Sequence, residues 1–353
     1  MSGRGRIAIL NGILSGSLKP SRGALERVYS CIQCGACARN CPPGINIPEV
    51  IYSGRKVLKK YSGRDMPLRV VTNFALNHPD ICFDISQISK KPVHLYLKRK
   101  GLIPASYAFP ETSLKDLPQV MQTQKQRGRV AVFKGCSINY SFPDLGRSLI
   151  RFLLSAGYEV ILPKAEVCCG IPFRTLGMEK QAKAFARKNV DIFSRIKADA
   201  IISLCPTCIM ALKHEYKHLI NKSIENIMDV ASFITGQKGF TFTQQGSTRA
   251  FYHDPCHMLY GLKIKDEPRN VLEQCGANLV EGMRHACCGF GGIYSIKFTD
   301  SSMKQALSRK QEIEKAGVET VITSCPGCML QLKKVMGPVN VLHIIEVIEK
   351  AMG

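Results

Sequence analysis

Fourteen of the 16 cysteines in this 353-residue chain fall into three groups whose spacing suits metal rather than disulfides. Cys31, Cys34, Cys37 and Cys41, followed by Pro42, form a C-x2-C-x2-C-x3-C-P run. Two-residue gaps let one tight loop reach several iron corners of a [4Fe–4S] cluster, and soft thiolates are the ligands such iron requires. Gly35 and Gly44 relax the backbone beside these thiols, and Pro42 turns it away. Zinc is the competing account, but zinc usually takes two C-x2-C pairs set further apart. In two-cluster ferredoxins the fourth cysteine of this run serves the other cluster. No second run follows here, so Cys41 either closes a local cluster or serves one completed by another chain.

The other ten cysteines form two copies of one pattern. Cys136, Cys168-Cys169-Gly170 and Cys205-Pro206-Thr207-Cys208 make the first; Cys256, Cys287-Cys288-Gly289 and Cys325-Pro326-Gly327-Cys328 make the second. Cys136 and Cys256 lie 120 positions apart, as do Cys205 and Cys325, and Cys168 and Cys287 lie 119 apart. A near-constant offset makes the chain from about residue 129 a duplicated unit. Five thiols exceed what one tetrahedral zinc needs, and adjacent cysteines fit better if they touch different metals of a polynuclear centre. Zinc held by three or four of the five remains the alternative. Cys82 and Cys275, outside the patterns, read as small core residues. His253, His257 and His285 lie near the second group and are candidates to tune a centre or move a proton. Gly289-Phe290-Gly291-Gly292 is no dinucleotide fingerprint; it lets backbone amides approach sulfur.

The elements that must position these thiols alternate. In each unit a β-like run, Arg129–Phe133 or Arg249–Tyr252, leads to the first cysteine. Leu145, Leu149, Phe152 and Leu153 then mark a helix stopped by Gly157, whose counterpart starts near Pro268 and stops at Gly276. A second strand, Tyr158–Leu162 or Asn278–Glu281, leads to the Cys-Cys-Gly. A further helix carries Ala182, Phe185, Ala186, Val190 and Phe193 on one face. The strands Ala200–Ser203 and Thr320–Thr323 run into the C-x2-C, and the apolar segments Ile227–Ile234 and Val341–Ile348 close the units. Alternation of this kind predicts an α/β fold with parallel sheets covered on both faces. Ligands then gather beyond the carboxyl ends of the strands, where the cysteines should meet. Between the first run and the repeats, Val57, Leu58, Val70, Val71, Phe74 and Leu76 suggest helices broken at Pro67 and Pro79, and residues 104–128 read as a linker.

Composition narrows the function classes. A chain of this length suits two or three domains. No stretch approaches the roughly 18 apolar residues of a membrane span, and Asn11-Gly12 interrupts the only apolar run near the start, so no secretory leader is read. A cytoplasmic setting, where thiols stay reduced, follows as the expectation. The net charge is +22. Residues 1–128 hold 20 Lys/Arg against 7 Asp/Glu and the rest 29 against 20, so the excess is densest around the first cysteine run, at Arg55-Lys56, Lys59-Lys60, Lys90-Lys91 and Lys98-Arg99-Lys100. Such a face would steer an acidic redox partner or the anionic inner membrane surface, or it is a solvated surface kept for solubility. Nucleic acid is not expected: no base-reading motif is present and Trp is absent. No Walker loop or dinucleotide fingerprint appears, so an organic cofactor is expected on another chain.

On these residues the chain resembles the iron–sulfur subunit of glycolate oxidase, the lactate-utilisation iron–sulfur protein, the C component of anaerobic glycerol-3-phosphate dehydrogenase and the B and D components of heterodisulfide reductase. All share the cysteine-rich CCG unit, and the resemblance covers nearly the whole chain. It implies a ferredoxin-like, helical [4Fe–4S] segment over residues 1–60, a helical segment and linker over 61–128, and CCG domains over 129–247 and 248–353. By resemblance, Cys136, Cys168, Cys169, Cys205 and Cys208 would hold one noncubane [4Fe–4S] cluster, and Cys256, Cys287, Cys288, Cys325 and Cys328 another, or zinc in one of the two. The implied function is electron transfer in a dehydrogenase complex oxidising glycolate or a similar 2-hydroxy acid, with a partner protein that carries FAD and a peripheral link to a membrane quinone. Both five-cysteine sets are complete, which leans towards heterodisulfide reductases and a catalytic role in reducing a disulfide. A zinc-stabilised scaffold is a third account. Against the glycolate oxidase pattern, the chain begins just past where an earlier ferredoxin run would stand. Truncation, a misassigned start and a separate ferredoxin-like protein supplying that run are the three explanations.

Overall fold

The computed structural model describes residues 2–104, 106–124, 127–243, 248–282 and 287–352. The amino-terminal part is helical. Ser2, Ser21 and Asn46 each sit just before a helix and accept a backbone N–H of its first turn, opening Gly3–Leu14, Arg22–Tyr29 and Ile47–Leu58. These helices share a small core of Leu10, Val28, Tyr29, Ile47, Ile51 and Leu58. Leu10 packs so closely on Gly54 that a Cβ there would lie 2.5 Å from it, which brings the first and third helices together.

Three more helices follow: Met66–Asn77, Pro79–Ile88 and Lys90–Arg99. The expected breaks at Pro67 and Pro79 are instead helix starts. Each proline lies in the first turn, where its missing N–H costs nothing. The stretch read as a linker is also more ordered than expected. It contributes strand β1 (Val120–Met121) and buries Leu114 in the main core.

Two sheets follow. The first contains β1, β2 (Gly128–Val132), β3 (Tyr158–Ile161), β4 (Ala200–Ile202) and β5 (Ile227–Met228), in the order β1-β3-β2-β4-β5. The second contains β6 (Thr248–His253), β7 (Ala277–Val280), β8 (Thr320–Thr323) and β9 (Asn340–His343), in the order β7-β6-β8-β9. Every pairing is parallel except β1 with β3. The duplicated pattern is thus a duplicated topology. In both sheets the strand that leads to the first cysteine is flanked by the strands that lead to the other two cysteine motifs.

Helices cover both faces, as parallel strands require. Pro143–Ser155 buries Leu145, Leu149, Phe152 and Leu153, and Glu179–Ser194 buries Ala182, Phe185, Ala186 and Phe193. The segments read as closing apolar stretches each split into a short strand and a helix, Val230–Thr235 and Ile344–Ala351. Each closing helix packs on the other repeat: Ile344–Ala351 against Pro143–Ser155, and Val230–Thr235 against Glu267–Gln274. One apolar core therefore runs through both repeats.

Candidate metal centres

The first five-thiol group forms where the chain leaves β2, β3 and β4. Past β2, the backbone N–H groups of Lys134 and Gly135 each donate to Glu166 Oε1 at 3.0 Å. That carboxylate ties the loop carrying Cys136 to the loop carrying Cys168. Its buried setting pushes the Glu166 pKa up to about 7. Asn189, fully buried on the helix Glu179–Ser194, accepts the Val167 N–H at 3.0 Å and donates to the carbonyls of Val167 and Cys168. Tyr216 donates to the Cys169 carbonyl at 3.2 Å. Cys205 and Cys208 flank the start of the short helix Pro206–Met210.

Held this way, the five sulfurs form one connected set. Cys136 Sγ lies 3.6 Å from Cys168 Sγ. Cys168 and Cys208 both donate to Cys169, and Cys205 interacts with Cys208. Those donors pull the Cys169 pKa down to about 6, whereas its hydrogen bond to Cys168 and burial push Cys136 well up.

The second group repeats the arrangement. Cys256 and Cys288 donate to Cys287, lowering its pKa well below that of a free thiol. Cys288 Sγ lies 3.3 Å from Cys328 Sγ, and Cys328 in turn lowers Cys325. Gly289 donates its N–H to Cys287 Sγ at 3.4 Å, as expected of the glycine-rich stretch. Gly289 has φ +83°, and a Cβ on it would sit 2.4 Å from the Ser302 carbonyl oxygen, so only glycine fits. A π-helical turn follows the first cysteine in both repeats, Ser137–Ser141 and His257–Leu262. Such turns often mark functional sites.

The amino-terminal run docks on the second group. After burial, the neighbouring thiolates Cys287, Cys31 and Cys37 raise the Cys34 pKa, Cys31 raises that of Cys37, and Cys34 adds to the rise of Cys256. Burial is the larger cause for Cys34, pushing it up to about 11. Cys41 packs with Cys31 and Cys37 against the amino-terminal core. His257 joins all three thiol groups. Its Nε2 donates to the Gln33 carbonyl at 3.0 Å, which leaves Nδ1 to accept from Thr207 Oγ1 at 2.8 Å. Beneath the run, the buried Arg55 donates to the carbonyls of Tyr29 and Cys31 at 2.9 and 2.5 Å.

Of the other residues singled out in the sequence, His253 is buried beside Cys288 and Cys328, its ligand nitrogen within 4.8 Å of their sulfurs. Burial first, then the Arg309 charge, pushes its pKa down to about 3. His285 lies outside the described residues. Cys275 is buried in the main core and Cys82 half-buried, neither in a thiol group. Sequence reasoning missed Glu166, Gln33, Thr207 and Arg309, and it counted Arg55 in the basic face, whereas the structure buries that guanidinium. These polar residues sit in loops or on helices with no periodicity to mark them. Asn189 and Arg309 stand at matching positions 120 apart, but their helices differ at almost every other position, so nothing in the sequence marked the pair.

The donor set suits a polynuclear thiolate-held centre. All 16 cysteines are free. Thiolates around a tetrahedral metal at about 2.3 Å lie about 3.8 Å apart, close to the 3.3 and 3.6 Å between these sulfurs. Beside the amino-terminal run, Arg55 Nε and Nη1 and Gln33 Nε2 are buried without a partner among the described residues, donors that inorganic sulfur would satisfy.

Comparisons with known proteins agree with this architecture. The model of the CCG cysteine-rich domain family matches residues 130–213 and 250–333. The chain is 30% identical over 339 residues to the B component of the fumarate reductase (CoM/CoB) of Methanothermobacter marburgensis, covering 93% of this chain and 62% of that one. It is 24% identical over 369 residues to the glycolate oxidase iron–sulfur subunit of Escherichia coli, covering 99% and 88%. The chain thus spans about three fifths of the length of several curated relatives it matches. A crystal structure of a hypothetical protein from Helicobacter pylori shares the fold, with TM-score 0.54 and 11% identity over 98% of this chain and 66% of that one. The duplicated topology, the two five-thiol groups and the two matched segments agree that the chain carries the CCG cysteine-rich domain twice.

Proposed function

We propose that the chain is the iron–sulfur electron-transfer subunit of an oxidoreductase complex. Cys31, Cys34, Cys37 and Cys41 hold a ferredoxin-type [4Fe–4S] cluster, and each five-thiol group holds a noncubane [4Fe–4S] cluster. The chain divides accordingly at about residues 60, 128 and 247. The observation that carries this reading is the 3.0 Å hydrogen bond from His257, next to Cys256, to the carbonyl of Gln33, which lies between Cys31 and Cys34. It joins the amino-terminal run to the second group, and the Thr207–His257 hydrogen bond joins that group to the first.

Bound iron–sulfur clusters supply reversible one-electron oxidation and reduction. The chain's residues supply the rest. Burial of Cys168, Cys169, Cys205, Cys208, Cys288, Cys325 and Cys328 excludes water from the thiolates. His257, neutral and hydrogen-bonded at both nitrogens, fixes the relative positions of the three groups. The glycolate oxidase relative favours a flavoprotein partner that oxidises a 2-hydroxy acid, with electrons leaving through this chain towards a quinone at the cytoplasmic membrane face. Anaerobic purification with its partners should yield about four irons and four acid-labile sulfides per thiolate group. Protein containing zinc alone would refute the reading.

A second reading is favoured by a cavity of about 490 Å³ beside Cys136 and Cys168, lined also by Lys115, Lys134, Lys164 and Lys188. It has room for an anionic disulfide next to the first group. Two electrons from the chain and two protons would convert that disulfide to two thiols. Single-turnover reduction of a disulfide by the isolated, pre-reduced chain distinguishes the two; no thiol product would rule out the second.

A further inference from the structure

Among the buried residues beside the thiols, the two repeats differ at two matched positions that touch one another in the second. Position 133 is Phe and position 253, 120 residues on, is His; position 189 is Asn and position 309 is Arg. In the first repeat Phe133 is fully buried, packs at a tilt on Phe193 and offers the sulfurs no hydrogen bond, while Asn189 is spent on the backbone of Val167 and Cys168. In the second repeat the two residues face each other instead. Arg309 Nε donates to His253 Nδ1 at 3.0 Å, and the same guanidinium is anchored by Glu312 Oε2 at 2.5 Å.

That single contact fixes the chemistry of the ring. A guanidinium has only donors, so Nδ1 must present its lone pair, and the one ring proton is carried by Nε2. Nε2 is buried and has no hydrogen-bond partner among the described residues, and a nitrogen of the same ring lies within 4.8 Å of Cys288 and Cys328 Sγ. The geometry could have offered a metal-ligating nitrogen at that place. The Arg309 contact makes it an N–H instead. A buried N–H without an oxygen acceptor has only sulfur to satisfy it, and leaving it unpaired would cost a large desolvation penalty.

We propose that His253 is a hydrogen-bond donor to the sulfur of the second centre, held in its donor tautomer by Arg309, and that it raises that centre's reduction potential. Among the described residues the first centre has no equivalent, Phe133 standing at the matching position. A donor to sulfur stabilises the more negative, reduced state, which is how hydrogen bonds tune thiolate-held iron. The proposal rests on the reading that the second thiol group holds an iron–sulfur centre. His253 acts as a positioning and tuning residue.

The test is an EPR-monitored redox titration of the anaerobic holoprotein. The double variant His253→Phe/Arg309→Asn recreates the pair the first repeat already folds around. It should lower the second centre's potential by about a tenfold change in its one-electron equilibrium, about 59 mV, and leave the first centre unmoved. His253→Gln keeps an acceptor for Arg309 and an N–H for sulfur, and should recover most of the shift. An unchanged or raised potential in the double variant overturns the proposal. If that variant does not fold, pulsed EPR of the wild-type chain decides. An exchangeable proton coupled to the second centre, with only weak nitrogen coupling, supports the donor. Strong nitrogen coupling, the mark of direct ligation, or no exchangeable proton overturns it. Absence of iron from the wild-type chain would overturn the electron-carrier reading itself, and metal analysis registers that separately.

Discussion

Single buried charges hold the parts of this molecule together. Arg174, 3% exposed at its side chain, donates to Glu49 of the amino-terminal helices at 2.7 and 2.8 Å and to Glu215 of the first repeat at 2.6 Å. Glu215 is buried, and desolvation raises its pKa even against the guanidinium. Arg174→Ala would strand that carboxylate, a loss of the kind that costs about 3–5 kcal/mol; chemical denaturation should show it as a lowered midpoint. Glu166 gives a pH signature of its own. Its folded pKa of about 7 lies above the ordinary 4.5. Between those values the folded chain binds the extra proton, so stability falls as pH rises through that window. Glu166→Gln keeps a carbonyl oxygen for the Lys134 and Gly135 N–H groups but cannot ionise. The Tm difference between wild type and variant should therefore widen in the variant's favour from pH 5 to pH 8. A difference independent of pH would contradict the burial argument.

At the scale of elements, each loop beyond a strand end brings one cysteine motif to its group, and small backbone changes there should act locally. Gly289→Ala puts a Cβ 2.4 Å from the Ser302 carbonyl oxygen in a left-handed conformation. The Cys287-Cys288 loop must then shift. Metal analysis should show loss from the second group with the first and amino-terminal groups retained. The closing helices act differently. Ile348 is fully buried on Ile344–Ala351, a helix that packs across the repeats. Ile348→Ala should cost about 2–5 kcal/mol and lower one shared unfolding transition; two separate transitions would show that the repeats are energetically independent.

At the scale of the whole molecule, the amino-terminal helices leave apolar residues in water. Val70, Val71 and Phe74 on Met66–Asn77, Ile81, Ile85 and Ile88 on Pro79–Ile88, and Leu95 and Tyr96 on Lys90–Arg99 are all exposed. They lie within the segment where positive charge is densest. No helix among the described residues is long and apolar enough to cross a membrane. An apolar face with basic surroundings instead suits the surface of an anionic bilayer, where each Lys or Arg adds about 1 kcal/mol and salt weakens the attraction. The chain should float with vesicles containing anionic lipid at low salt and release as salt rises. Val71→Glu/Ile85→Glu should abolish flotation while leaving iron content intact.

Much of the fold was legible in the sequence because local rules wrote it. The 120-residue offset announced the duplicated topology. The buried runs at Val130–Val132 and Thr320–Thr323 announced strands, and Gly157 and Gly276, both at positive φ, announced helix ends. Thiols at strand ends had to converge because parallel strands share a carboxyl edge, and the five sulfurs of each group do meet there. Hydrophobic periodicity records which face of an element is buried, but not what covers it. Sequence therefore held no sign that β1 would pair with β3, that the closing helices would exchange partners, or that the loop carrying Cys34 would be tied through Gln33 to His257 beside Cys256. The roles of His253 and Arg309 lay equally out of reach. Their identities stood in the sequence, but only a 3.0 Å contact between a strand end and a distant helix decides which ring nitrogen carries the proton.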